Sequence, residues 1–296
     1  MLWARKRPVQ APARNPADIM PAELPVALDV GVFGQHFQAF VETAAGGGGA
    51  EVYLERLTAK QRLCADTLAS ARGRELDIDS IARLLGFMFT ARRHLMRTFE
   101  DLGARRCTDL LCDLGQLTVP PVNRMQRFVD AMPGAPTPDP ADRHAAGRLR
   151  RAAWDFAAEI VHFSDPVRFP LMTHWVWDNR SQSGALREFI RGNDAMREIP
   201  FDNSAELHEG ARVWLSERVL ERGIYRDVPL WIDLVLAQTY VSYVRAIASG
   251  SLGGEFGRGM EVPEQLSKLL GIDADKGRLP RAAGTAEDAH VRANGS

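Results

Sequence analysis

A carboxylate and an imidazole lie three residues apart at Glu159 and His162, in a stretch with helical texture. On a helix this spacing places both groups on one face, where they could bind the same metal ion. Di-iron helical bundles use two such motifs together with two further carboxylates. The second match in the sequence, Glu287 and His290, falls in a Gly-, Ala- and Arg-rich stretch that we expect to be disordered. We therefore favour a hydrogen-bonded helix histidine, and we predict no metal or other cofactor.

The three cysteines, Cys64, Cys107 and Cys112, offer no further metal site. Cys107 and Cys112 are five residues apart, and no second pair completes a zinc-ligand spacing. An odd count cannot complete a disulfide framework, so we expect reduced thiols. The sequence also lacks a Walker or dinucleotide-binding fingerprint. We predict that the protein is not an enzyme; a helical enzyme with a buried Glu/His pair is kept as a third alternative.

Positive charge is carried almost entirely by arginine and is concentrated in one stretch. The 296-residue chain holds 37 basic and 38 acidic side chains, for a net charge of −1. Within residues 81–106, however, six arginines face two acids. Arginine pairs bidentately with phosphate and guanine, and phosphate neutralisation requires a local basic surplus. A high genomic GC content would give the same arginine bias, and a solvated helix face is the alternative interpretation.

The pattern around this basic stretch predicts a helix-turn-helix. An amphipathic segment from Thr58 to Arg72 is followed by a short helix over Asp79 to Phe87, which stops at Gly86. Glycine permits a tight turn, and the small Ala82 lets two helices cross closely. A second helix is predicted from about Thr90 to Asp101. The candidate DNA-binding residues follow from it: Thr90, Arg92, Arg93 and His94 nearest the bases, with Arg97, Arg105 and Arg106 on phosphates.

The hairpin resembles the DNA-binding domain of the tetracycline-repressor (TetR) type of one-component regulators. That family has a glycine after its first helix, then an Ile-Ala pair and a glycine-hydrophobic turn. The corresponding residues here are Gly73, Ile81-Ala82 and Gly86-Phe87. The resemblance covers roughly residues 55–270, and it implies a homodimer that binds a double-stranded DNA operator.

Two later segments are also similar to the family. They are Arg168 to Met172, and Arg222 to Asp227 leading into the apolar stretch Leu230 to Ala248. In the family, the last long helix and its predecessor commonly form the dimer interface. The recognition helix departs from the family's usual residues, since Ala91-Arg92-Arg93 stands in place of Thr-Leu-Tyr.

The chain is predicted to be all-α, because no alternating run of β-branched residues is bounded by turns. We expect helices over Asp142 to Phe163, Phe169 to Ile190, Ala205 to Arg222, Asp227 to Ala248, and 261–271. Ser204 is the expected N-cap of the third of these, and Gly223 its left-handed C-terminal residue. The predicted organisation is a Pro/Gly-rich N-terminal extension (1–50), a three-helix helix-turn-helix domain (51–115), a linker (116–141), a helical-bundle ligand and dimerisation domain (142–271) and a disordered tail (272–296).

Aromatic and soft side chains concentrate in the second half of the chain. Core packing is one interpretation. The other is an apolar cavity between helices that binds a small hydrophobic effector. The candidate pocket residues are Trp154, Phe169, Met172, His174 and Trp175.

The sequence therefore predicts a TetR-like transcriptional regulator that binds DNA as a dimer and senses a small hydrophobic ligand. The alternative is an all-α ligand-binding or protein-interaction module of the same ancestry that no longer reads DNA. We see no signal peptide, and the apolar stretch from Val228 to Ala248 is broken by polar residues. We therefore expect a cytoplasmic protein with no membrane partner.

Overall fold

The computed structural model describes residues 18–133, 139–250 and 259–273. These ranges contain α-helices, one short 3₁₀ turn at Asn193–Ala195 and no β-strand, which confirms the predicted all-α class. The helices are α1 (Val30–Ala45), α2 (Ala50–Ala71), α3 (Ile78–Gly86), α4 (Phe89–Leu114), α5 (Pro121–Asp130), α6 (Pro140–Ser164), α7 (Ala185–Phe189), α8 (Ala205–Leu220), α9 (Val228–Gly250) and α10 (Val262–Leu269). The predicted tail lies outside the described residues from 274 onward.

Local capping chemistry places several helix ends where the sequence predicts them. The hydroxyl of Ser204 accepts a hydrogen bond from the backbone N–H of Leu207, as an N-cap of α8 should. Gly223 adopts φ 78° after the last turn of α8, in the left-handed region that favours glycine. Helix α3 begins one residue before the predicted start at Asp79, because Asp77 caps it by accepting from the backbone N–H of Ser80 at 2.6 Å.

The predicted helix over Phe169 to Ile190 is wrong. Residues 165–184 are irregular, and α7 is the one helical segment within residues 169–190. The side chain of Asp178 accepts hydrogen bonds from the backbone N–H of Arg180 and the hydroxyl of Ser181, and Gly184 adopts φ 126°, which is outside the helical range. The segment forms turns instead, and the N–H of Ala185 donates to the carbonyl of Trp175 at 2.9 Å.

Helices also lie in two stretches that the sequence analysis predicts to be an extension (1–50) and a linker (116–141). In α1, Phe33 and Phe40 are fully buried, and Phe37 stacks on Trp231 of α9 with ring centroids 5.8 Å apart. Helix α5 packs on α4 and α6. One hydrophobic core runs through the segments on both sides of α5, so the predicted domains share a core in the described residues.

Helix α9 is enclosed by the rest of the chain. It contacts α1, α2, α7, α8 and α10. Between Leu230 and Val241 every residue apart from Trp231 and Tyr240 is buried. The middle of this helix is therefore already covered within a single chain.

A buried ion pair joins α2 to α6. The ammonium of Lys60 bonds the carboxylate of Glu159, and the two side chains are 1% and 3% exposed. The same ammonium donates to the carbonyl of Leu270 at 2.7 Å and lies 4.3 Å from the ring centroid of Phe163. Burial raises the pKa of Glu159, while Lys60 opposes that shift. Beside the pair, burial raises the pKa of the Cys64 thiol to about 12.

Removing one member of this pair should strongly destabilise the protein. We expect Lys60→Met to lower the free energy of unfolding by about 3–5 kcal/mol, because it leaves a buried carboxylate without its cation. The double variant Lys60→Met/Glu159→Leu should recover most of that loss, since no buried charge remains. Urea unfolding measures both. Lys268→Met, which removes a partly exposed pair with Glu264 on α10, is the matched control and should cost less than about 1 kcal/mol. Equal losses in the free energy of unfolding for Lys60→Met and Lys268→Met would contradict this account.

Candidate nucleic-acid interface

Helices α3 and α4 form a hairpin joined by Phe87 and Met88. On α3, Ile81 and Leu85 are fully buried, and they share the apolar core with Ala91 and Leu95 on α4. Helix α4 is interrupted at Gly103, whose φ of 78° and ψ of 163° are not helical. Its first segment therefore ends near the predicted end of the second hairpin helix. The buried apolar side chains fix how this segment sits on α3.

Three of the predicted DNA-binding residues share an open groove. Arg93, His94 and Arg97 are exposed on the first segment of α4. They line a groove of about 590 Å³ together with residues of the first half of α6, among them Arg148. The groove also contains the carboxylates of Asp101 and Asp142. Arg105 and Arg106 are exposed as well, but they follow the interruption at Gly103 and are not among the groove's lining residues.

Arg92 and Thr90 point elsewhere. The guanidinium of Arg92 lies 3.6 Å from the carboxylate of Asp273, 3.4 Å from the carbonyl of Gly86 and 5.2 Å from the ring centroid of Phe89. The hydroxyl of Thr90 is buried and has no hydrogen-bond partner among the described residues. To reach a base, Arg92 would first have to leave Asp273.

The chain after α10 closes against the connection between α3 and α4. A Cβ on Gly271 would overlap the carbonyl of Phe87, so only glycine fits at this distance. The neighbouring carbonyl, that of Leu270, is the one that Lys60 bonds. No sequence pattern predicted this contact, because it joins residues that are far apart in the chain.

The five candidate pocket residues are occupied by packing and hydrogen bonds. The indole N–H of Trp154 donates to the carbonyl of Met172 at 2.8 Å. The Nδ1 atom of His174 lies 2.7 Å from a carboxylate oxygen of Asp155. Trp175 packs on Tyr240 with ring centroids 6.0 Å apart. Phe169 lies beneath two guanidiniums, those of Arg124 and Arg168. A hydrophobic effector would have to displace these contacts.

Glu159 and His162 bind different partners. The ring of His162 bridges the carbonyl of Phe169, at 2.7 Å from Nδ1, and the carboxylate of Asp233, at 2.8 Å from Nε2. This confirms the hydrogen-bonded helix histidine. Within the ranges that the structure describes, no three His, Cys, Asp or Glu side chains are grouped to hold a metal ion. The second motif, Glu287 and His290, lies outside those ranges.

His162 and Asp233 also border a small cavity of about 20 Å³, which has room for about one water molecule. His208 also lines this cavity. The Nδ1 atom of His208 bonds the carbonyl of Ser204 at 2.9 Å, and its Nε2 atom is buried without a partner in the described chain. Burial lowers the pKa of His208 to about 4, so this histidine is neutral at physiological pH.

Arg148 on α6 is the basic residue of the groove beside α4 that sequence reasoning missed. Arg143 and Arg151 lie two helical turns apart with Arg148 between them, so a helical projection of this segment would have shown a basic face. The Pro-rich linker before α6 gave no reason to place that face beside α4.

Comparison of the chain with protein-family models, with curated proteins and with solved structures found no match. Among the described residues, no helix has both the length and the apolar character needed to cross a bilayer.

The buried His208 predicts a specific loss of stability in mild acid. Its folded pKa lies below the ordinary value of 6.5, so the unfolded chain takes up the proton first. Stability should therefore fall as the pH drops from about 6.5 towards about 4. Between pH 7 and pH 5, we expect the free energy of unfolding of His208→Asn to fall by about 2 kcal/mol less than that of the wild type. Urea unfolding measures both.

His208→Gln, which also lacks an ionisable ring, is the second variant and should show the same reduced pH dependence as His208→Asn. If the wild type and His208→Asn lose equal stability over this interval, His208 does not carry the effect.

Proposed function

We propose that this protein is a DNA-binding transcriptional regulator of the TetR type that contacts DNA through the exposed face of α4. The observation that carries the proposal is the arrangement of Arg93, His94 and Arg97 side by side on the second helix of a tight hairpin. Arginine at such a position can pair bidentately with guanine, and the groove itself lies open to solvent.

The proposal assigns direct contacts differently from the sequence pattern. Arg93 and Arg97 are the base- or phosphate-reading arginines, and His94 lies between them. Arg92 is assigned to the contact with Asp273, which ties the start of α4 to the chain after α10. Arg105 and Arg106 keep their predicted role as phosphate contacts, since both side chains are exposed.

Two-fold binding to an operator requires a dimer, and the enclosed α9 leaves α8 as the better surface. Val213 and Leu220 lie seven residues apart on α8, and each is 39% exposed. On a helix this spacing places both on one face. Tyr225, in the turn after α8, is 75% exposed. Glu217 lies between Val213 and Leu220 on the same face and is also exposed. We propose that a second copy of the chain covers the exposed apolar side chains of this region.

Loss of Arg93 and Arg97 should weaken DNA binding. We expect Arg93→Ala/Arg97→Ala to lower the affinity for the protein's own promoter fragment by at least about tenfold, because each arginine contact with DNA contributes about 1–3 kcal/mol. The plot of log affinity against log salt concentration should also become shallower. Its slope should change by about 0.9 for each of the one or two phosphate contacts that are lost. Fluorescence anisotropy over a salt series, with a random duplex of equal length for comparison, measures both quantities.

Arg226→Ala is the matched control, since Arg226 is exposed in the turn between α8 and α9 and should leave affinity unchanged. Promoter binding no tighter than binding to the random duplex would overturn the proposal and favour a ligand-binding or interaction module.

The dimer surface can be tested separately. We expect Val213→Glu/Leu220→Glu to convert a dimer to a monomer, because two buried carboxylates at an interface carry a large desolvation cost. Light scattering gives the mass. Ile247→Glu, at the 50% exposed Ile247 near the end of α9, should leave the dimer intact. A wild-type monomer at micromolar concentration would contradict two-fold operator binding.

A further inference from the structure

A second groove lies beside the first half of α6, on the side lined by the irregular segment before α7. Its volume is about 770 Å³, within the range of small-molecule sites. Both walls carry arginine. One wall is α6, and the other is the loop that carries Asp178, Arg180 and Ser181. A Cβ on Gly147 would meet no atom within 4 Å, so space for a ligand opens directly above the helix backbone.

The loop is held in place by its own hydrogen bonds. One carboxylate oxygen of Asp178 accepts from Arg151 at 2.8 Å and from the hydroxyl of Ser181 at 2.6 Å. The other accepts from the backbone N–H of Arg180 at 3.1 Å. Backbone bonds between Asp178 and Ser183 close the turn. Asp178, the one acid among the described residues that line the groove, is therefore already satisfied.

Within the described part of the chain, the positive charge in this groove has no complete set of counter-ions. Arg143, Arg148 and Arg180 are exposed, and no ion pair joins any of them to another described side chain. Arg151 is neutralised by Asp178, so three guanidiniums remain available for a ligand. Planar guanidinium groups bind phosphate oxygens through two parallel hydrogen bonds.

We propose that this groove binds a small phosphorylated ligand with at least two phosphate groups, such as a diphosphate or a diphosphate ester. The surplus of three guanidiniums matches the charge of a diphosphate. A concave groove between a helix and a fixed loop suits a compact ligand, whereas a DNA duplex is contacted by side chains that protrude. The ligand is thus anionic, in contrast to the hydrophobic effector that the sequence predicts.

Arg148 links this groove to the DNA-binding face of α4, because it lines both grooves. A phosphorylated ligand that pairs with Arg148 removes a positive charge from beside Arg93 and Arg97. Ligand binding should therefore weaken DNA binding by competition for charge. This regulatory consequence rests on the proposed function, whereas binding of the ligand does not.

Inorganic pyrophosphate is the probe for the ligand site. Isothermal titration of the full chain, without divalent cations and against potassium chloride of equal ionic strength, should show saturable binding. We expect Arg143→Ala/Arg180→Ala to weaken that binding by at least about tenfold, since each removes charge-assisted hydrogen bonds. Arg191→Ala/Arg226→Ala removes the same charge outside the groove and should leave the pyrophosphate affinity unchanged. Arg93→Ala/Arg97→Ala should also leave it unchanged.

Three results would overturn the proposal: no saturable binding in the wild type, equal weakening by the two charge-matched double variants, or no weakening by Arg143→Ala/Arg180→Ala. If that variant weakens DNA binding while pyrophosphate does not bind the wild type, the groove belongs to the DNA surface instead. Where both activities exist, saturating pyrophosphate should lower DNA affinity in the wild type but not in Arg143→Ala/Arg180→Ala. Because the titration contains no DNA, its result can be interpreted even if the protein does not bind DNA.

Discussion

The buried ion pair between Lys60 and Glu159 is the interaction on which the arrangement of the described helices depends. Apolar packing is non-directional and tolerates small shifts, but a buried ammonium must meet its acceptors at hydrogen-bond distance. Lys60 meets two, the carboxylate of Glu159 on α6 and the carbonyl of Leu270 after α10. One side chain of α2 thereby fixes the register of α6 and the position of the C-terminal part of the fold.

That anchor also decides which face of α4 is free. With Leu270 held by Lys60, Gly271 lies directly against the connection between α3 and α4, and Asp273 reaches Arg92. Arg92 is drawn towards the body of the protein, while Arg93, His94 and Arg97 remain exposed towards α6. Neighbouring arginines on one helix thus have different contacts, because they lie at different distances from the segment that Lys60 holds in place.

The near-neutral net charge hides a local difference between the two grooves beside the first half of α6. Four arginines and Asp178 line one groove, whereas three arginines, Asp101 and Asp142 line the other. Arg148 borders both grooves, so a charge that binds in one groove changes the electrostatic potential in the other over a short distance. A charge balance taken over the whole chain carries no information about such local surfaces.

The sequence by itself determined the all-α class, the hairpin at residues 78–102 and the ends of α8, because helical periodicity, caps and glycine turns act within a few residues. It also indicated the exposed arginines of α4. Only the tertiary structure decided that Arg92 pairs with Asp273, that residues 165–184 are irregular, and that α9 is enclosed. Those outcomes depend on contacts between residues far apart in the chain, such as Lys60 with Leu270 and Phe37 with Trp231. Local spacing carries no record of such contacts, since they arise from burying apolar and charged groups together.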